Sequence, residues 1–141
     1  MILVTGAAGK TGRAVLKALA HFHIDARALA RNQEEAGVLE KGEAKEIFIG
    51  NLRDDKAMLE ATRQVEMVYL ICPNVVPDEL EIGKRLLAAA KRNGVRRVVY
   101  HSVLHPQVEA MPHHWQKMRV EEAIFQAGID FTILQPCAYM Q

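Results

Sequence analysis

Short apolar runs alternate with longer stretches in which apolar residues recur every three or four positions, and this alternation continues along the whole chain. Ile2-Leu3-Val4 is apolar throughout, as a strand buried on both faces would be. From Arg13 to Phe22 the residues Val15, Leu16, Leu19 and Phe22 fall at helical spacing. Ala26 to Ala30 reads as a second strand, followed by a short helix around Glu34 to Leu39 and a turn at Lys41-Gly42. Glu46 to Ile49 predicts a third strand and Gly50-Asn51 a turn, after which Asp54 or Asp55 can cap a helix reaching about Arg63. Met67 to Ile71 is a fourth strand, closed by Cys72-Pro73. An amphipathic helix from about Asp78 to Arg92 ends at Asn93-Gly94. Val95 to Tyr100, Pro112 to Gln126 and Phe131 to Leu134 then predict a strand, a helix and a sixth strand.

Strands alternating with helices of this length predict an α/β fold, a doubly wound parallel sheet with helices on both faces. Right-handed crossovers make 3-2-1-4-5-6 the natural strand order, with any ligand at the strand C-terminal ends near strand 1. No repeat or low-complexity linker interrupts the pattern, so residues 1–141 are expected to form one domain.

Between the first strand and the first helix lies Thr5-Gly6-Ala7-Ala8-Gly9-Lys10-Thr11-Gly12. Glycines there let the chain turn tightly and bring backbone N–H groups to a pyrophosphate, where the helix dipole favours negative charge. Gly6, Ala8, Gly9, Lys10, Thr11 and Gly12 are therefore the candidate phosphate contacts. Gly9-Lys10-Thr11 resembles the end of a P-loop, but that motif needs glycine at position 4, which is Val4. ATP or GTP binding through a P-loop is excluded on that residue. Two readings remain: a dinucleotide loop of G-x-x-G-x-x-G form, and a strand-to-helix turn that binds nothing.

The end of the second strand bears on cofactor choice. An NAD site usually carries Asp or Glu there to accept hydrogen bonds from the adenosine ribose. Leu29-Ala30-Arg31-Asn32 contains no acid, and Asp25 falls at the opposite end of the strand. Arg31 instead offers a planar guanidinium suited to a 2′-phosphate, and Lys10 a second positive charge, so NADP is favoured over NAD. Arg31 read as a solvated loop residue is the alternative. After the third strand, Asn51 and Leu52 stand where such sheets contact adenine, although Asn51 also suits a turn.

Composition adds exclusions. Lys plus Arg number 18 against 17 Asp plus Glu, so no basic excess points to nucleic acid. The apolar runs are too short to cross a bilayer and no signal peptide precedes the first strand, which predicts a cytoplasmic domain. Cys72 and Cys137 lack metal-ligand spacing and are expected to be reduced and buried. His101 and His105 are too scattered for a metal site, and no metal is expected. His21 and His23 are expected to face solvent, and Trp115 to pack its helix against the sheet.

The opening Ile2 to Arg13 string resembles that of the NmrA-like group of atypical short-chain dehydrogenase/reductases. So do Arg27-Ala28-Leu29-Ala30-Arg31-Asn32, Gly50-Asn51-Leu52, Val98-Val99-Tyr100-His101-Ser102 and Phe131-Thr132-Ile133-Leu134-Gln135-Pro136. The motifs follow the family's order across the whole chain and correspond to the N-terminal part of such a protein. The C-terminal portion, which closes over substrate in the family, is expected to be absent. The resemblance implies NADP binding and, in typical members, a Tyr-x-x-x-Lys pair whose lysine holds the nicotinamide ribose. Here Lys117 matches that lysine, and His113 stands where the tyrosine would be. Lys117 is thus a candidate catalytic and cofactor residue, and His113 a candidate proton donor. Pro73 and Asn74 are expected near the ribose or nicotinamide, and Ser102 either lines the site or ends a strand. Two functions follow: an NADPH-dependent reductase of a quinone-like or other small acceptor, or a non-catalytic NADP sensor acting through a protein partner. An exposed final strand leaves an oligomer open.

Overall fold

The computed structural model describes residues 1–40, 42–73 and 75–137. Lys41 of the expected turn and Asn74 of the expected site lie outside the described residues. The elements run β1 (Ile2–Val4), α1 (Lys10–His21), β2 (Ala26–Ala30), α2 (Gln33–Gly37), β3 (Glu46–Ile49) and α3 (Asp55–Ala61). They continue with β4 (Met67–Leu70), α4 (Glu79–Arg92), β5 (Arg97–His101), α5 (Pro112–Gln126) and β6 (Asp130–Leu134). Among the described residues the strands form one six-stranded sheet in the order β3-β2-β1-β4-β5-β6, every pair parallel. This is the doubly wound α/β arrangement the alternation predicts.

The apolar residues divide over the two faces of the sheet. The larger cluster joins Val68 and Leu70 of β4 and Val98 and Tyr100 of β5 to Met58 of α3, Ile82 and Leu86 of α4, and Val120 and Ile124 of α5. The smaller cluster joins Val4 and Ala28 to Leu16 of α1. β2 is buried along its whole length. Arg27 within it is accommodated because its Nη1 donates to the carbonyls of Ala61 and Arg63 at 2.6 and 2.8 Å and its Nε pairs with Glu46.

Element ends follow local hydrogen bonding. α1 starts at Lys10, three residues before the apolar periodicity, because Gly9 is its N-cap. Asp54, rather than Asp55, caps α3, accepting from the backbone N–H groups of Lys56 and Ala57 at 2.8 and 3.3 Å. Val95 falls outside β5 because its N–H donates to Ala90 O at 2.9 Å, closing the end of α4.

Two expectations about packing are corrected. Cys72 is buried but Cys137 is exposed, since it follows β6 beyond the last strand pairing. Trp115 is half-buried and belongs to neither core cluster; the buried residues of α5 are Val120, Glu121 and Ile124 in its later turns. His21 and His23 are exposed as expected.

Candidate functional site

The sheet order reverses at β1, which lies between β2 and β4, and the glycine turn leaves β1 at this switch point. The Thr5 hydroxyl ties the two strand ends together, donating to Ile71 O at 2.9 Å and accepting from Ile71 N–H at 2.8 Å. Gly6 then adopts φ +59°, a left-handed conformation that L side chains rarely take. At Gly12 a Cβ would stand 2.2 Å from Gly6 O and 2.7 Å from Ala7 Cα, so α1 lies directly on the turn with no room for a side chain. Gly9 donates its N–H to Gly6 O at 3.0 Å, and as N-cap it offers no side chain to the helix. The first turn of α1 also contains no acid. Its backbone donors therefore meet no negative side chain of their own helix and suit an external anion. Ala8 and Thr11 are half-buried here, while Gly9 and Lys10 are exposed. These features fit a pyrophosphate group.

Arg31 stands just beyond β2, exposed, at the adenosine end of such a site. An acid does reach this position, which the sequence reading missed. Glu35 accepts from Arg31 N–H at 2.8 Å with Oε2 and from Arg31 Nε at 2.5 Å with Oε1, and the same Oε1 pairs with Nη2. The guanidinium holds the Glu35 carboxyl below its usual range. Glu35 is turned this way because Asn32 caps α2, its Oδ1 accepting Glu35 N–H at 2.9 Å. The spacing, Arg31 to Glu35 at i,i+4, was the available signal. Asn51 makes a turn, its Oδ1 accepting Arg53 N–H at 3.0 Å, and Leu52 is buried in the larger core cluster. Arg53 forms a two-point pair with Asp78 at 2.6 and 2.9 Å.

Lys117 is largely buried, and its Nζ donates to Glu79 Oε1 at 2.7 Å. Tyr100 OH donates to the same oxygen at 2.8 Å, and the Lys117 ammonium lies 5.7 Å from the Tyr100 ring centre. Glu79 is fully buried, and its Oε2 has no hydrogen-bond partner among the described residues. Burial pushes the neighbouring Cys72 thiol and the Tyr100 phenol upward, so both stay protonated. The His113 ring lies edge-on to His114, with ring centres 4.6 Å apart, and no hydrogen bond joins it to Lys117. Ser102 is buried and its hydroxyl donates to Glu121 Oε1 at 2.5 Å, while Gln135 Nε2 donates to both Glu121 oxygens at 3.0 Å. Pro73 is half-buried past β4.

A cavity of about 610 Å³ opens between α1 and the ends of β4 to β6, lined by residues including Thr11, Tyr69, His101, Leu134 and Pro136. Tyr69 OH lies 3.2 Å from His101 Nδ1. Burial, and then the Lys117 charge, lower the His101 pKa, favouring the neutral ring. A second cavity of about 320 Å³, lined in part by Arg27, Glu46 and Arg63, lies at the N-terminal ends of β2 and β3, away from the glycine turn. No group of three or more His, Cys, Asp or Glu that could hold a metal is found among the described residues. No helix among them is long and apolar enough to cross a membrane.

The model of the NmrA-like family matches residues 1–141. The chain belongs to the NmrA-like family. It is similar to the NAD(P)H azoreductase of Xenophilus azovorans, 28% identical over 147 residues that cover 100% of this chain and 49% of that protein. It is 34% identical over 144 residues to the (4-alkanoyl-5-oxo-2,5-dihydrofuran-3-yl)methyl phosphate reductase of Streptomyces griseus, covering 99% of this chain and 48% of that one. Among solved structures, an NADPH-dependent quinone oxidoreductase of Escherichia coli complexed with NADPH superposes with a TM-score of 0.83 at 25% identity, covering 96% of this chain and 48% of that one. The chain thus spans about half the length of the relatives it matches.

Proposed function

We propose that this NmrA-like chain is the dinucleotide-binding domain of an NADPH-dependent reductase acting on a small, quinone-like acceptor. The observation that carries the reading is the glycine turn at the switch point, where α1 begins with neither a capping side chain nor an acid. Backbone N–H groups of Ala8 and of Lys10 to Gly12 hold the pyrophosphate, with Lys10 adding charge. Arg31 binds the 2′-phosphate and Asn51 borders the adenine, while Leu52, buried in the core cluster, supports the turn that carries Asn51. An ammonium has three donors and Glu79 takes one, so Lys117 retains donors for the nicotinamide ribose hydroxyls. Pro73 and Ser102 border the nicotinamide end. Bound NADPH supplies the hydride; the protein supplies binding, orientation and exclusion of water. The relatives' activities, which include azo and quinone reduction, support the acceptor class.

A second reading, an NADP sensor without turnover, draws on one observation. The candidate donor His113 packs on His114 and not on Lys117. Calorimetric titration with NADPH and NADH, repeated on Arg31→Ala, tests the site itself. The wild type binds NADPH more tightly, and the variant loses about tenfold of that preference, as expected for one charge-assisted phosphate contact. Equal affinities in both proteins would overturn the 2′-phosphate assignment. NADPH oxidation in the presence of a quinone separates reductase from sensor, since a sensor binds and turns nothing over.

A further inference from the structure

We propose that Glu35 sets the cofactor preference of this chain, holding Arg31 in a carboxylate pair that a 2′-phosphate must share or displace and that an unphosphorylated ribose leaves intact. The proposal rests on the reading that the adenosine end of the nucleotide lies at Arg31. Its basis is the way one carboxylate engages the arginine: Oε2 takes the Arg31 backbone N–H at 2.8 Å, while Oε1 takes Nε at 2.5 Å and also pairs with Nη2. The Nε and Nη2 edge of the guanidinium, one of the two that can grip an oxyanion in a fork, is thereby filled from within the protein.

The surrounding charges sharpen the point. Arg53 lies close enough for its charge to be felt at Arg31, and it is itself matched by Asp78. Each of the two guanidinium groups thus has a carboxylate partner of its own, and neither is offered bare to a phosphate dianion. Whether the phosphate takes the filled edge or the remaining one, it comes to rest beside the Glu35 carboxylate, and like charges at that separation repel. A ribose 2′-hydroxyl has no such conflict. It can donate to the Glu35 carboxylate, the role that an acid at the end of the second strand performs in NAD sites. Arg31 and Glu35 therefore pull in opposite directions, one member favouring each cofactor, so the NADPH preference of the wild type is smaller than Arg31 alone would give.

Glu35 is a half-buried residue of the short helix α2, and Glu35→Gln removes the charge while keeping both an oxygen for the Arg31 N–H and the Asn32 cap, so the fold is retained. Calorimetric titrations of wild type and Glu35→Gln with NADPH and NADH, at low and high salt, decide the matter. The expected result is NADPH affinity raised about fivefold or more in the variant, NADH affinity unchanged or weakened, and the NADPH gain shrinking as salt rises. In an Arg31→Ala background the same substitution should give a different gain from that in wild type, since the guanidinium no longer remains to be released and only the repulsion between phosphate and carboxylate is relieved. An unchanged ratio, or NADPH affinity that falls, overturns the proposal and makes Glu35 a support that aligns Arg31. Wild-type protein that is folded by circular dichroism yet binds neither nucleotide overturns the proposed function, and this proposal with it.

Discussion

Lys117 is the residue whose sequence assignment and structural environment diverge most. Resemblance marks it as a cofactor lysine, yet its ammonium lies between helices, on a carboxylate that is fully buried. Removing one partner of such a pair leaves an uncompensated interior charge, whereas removing both together costs little. Lys117→Met should therefore lose about 3 kcal/mol of stability in urea unfolding, and the double variant Glu79→Gln, Lys117→Met should regain most of it. A single variant as stable as wild type would mean that Glu79 does not depend on Lys117. Measuring NADPH affinity on the stable double variant then tests the ribose role free of the structural one. Residues of this kind were only partly legible. Asn51 and Asp54 could be read because turn and cap chemistry is local. Glu35 is four residues from Arg31 but lies inside α2 and not at the strand end where a ribose acid stands, and it reaches back only because Asn32 caps that helix. Glu79 could not be read at all: 38 positions separate it from Lys117, and no periodicity links the start of one helix to the middle of the next. The join of Ser102 and Gln135 through Glu121 was hidden for the same reason.

At the scale of elements, the periodic segments were legible because each strand or helix declares itself within a dozen residues, and parallel crossovers leave few ways to order them. Their closeness was not. α4 and α5 pack side by side, and Gly83 is where they meet: a Cβ there would stand 2.9 Å from Cγ1 and 3.1 Å from Cγ2 of Val120, which is itself fully buried. By sequence alone, glycine inside an amphipathic helix looks like a defect that alanine would repair, worth up to about 1 kcal/mol. The contact reverses that expectation, because valine is short and β-branched and has no flexible end to move aside. Overpacking of this kind costs about 1–3 kcal/mol, so Gly83→Ala should be net destabilising by about 1 kcal/mol. Combined with Val120→Ala the loss should be less than the sum of the two single losses, since each substitution relieves the other. Stabilisation by Gly83→Ala alone would show that the helices can separate freely.

At the scale of the whole molecule, the core is lopsided. The helices α3, α4 and α5 cover one face with the larger apolar cluster, while α1 holds a smaller one beside the open cavity. At the far edge, Phe131 and Leu134 of β6 remain 43% and 40% exposed, and Phe125 of α5 58%. The turn proposed to bind nucleotide thus belongs to the less heavily packed side, where Val4, Ala7 and Leu16 form the smaller cluster and the Thr5 hydroxyl ties the turn to Ile71. A ligand that binds only the native state adds RT ln(1 + [L]/Kd), about 2.7 kcal/mol at a hundredfold excess over Kd. For a domain of this size that corresponds to a rise in Tm of about 8 °C. NADPH should produce that rise, and in Arg31→Ala the shift should fall to that given by NADH. Hydrogen exchange should locate the gain in the amides of the glycine turn and α1, with α4 little changed, because the phosphate contacts stabilise the weaker layer. A Tm that NADPH leaves unmoved, with no amide of the glycine turn or α1 gaining protection, would mean that the glycine turn serves the fold and not a nucleotide.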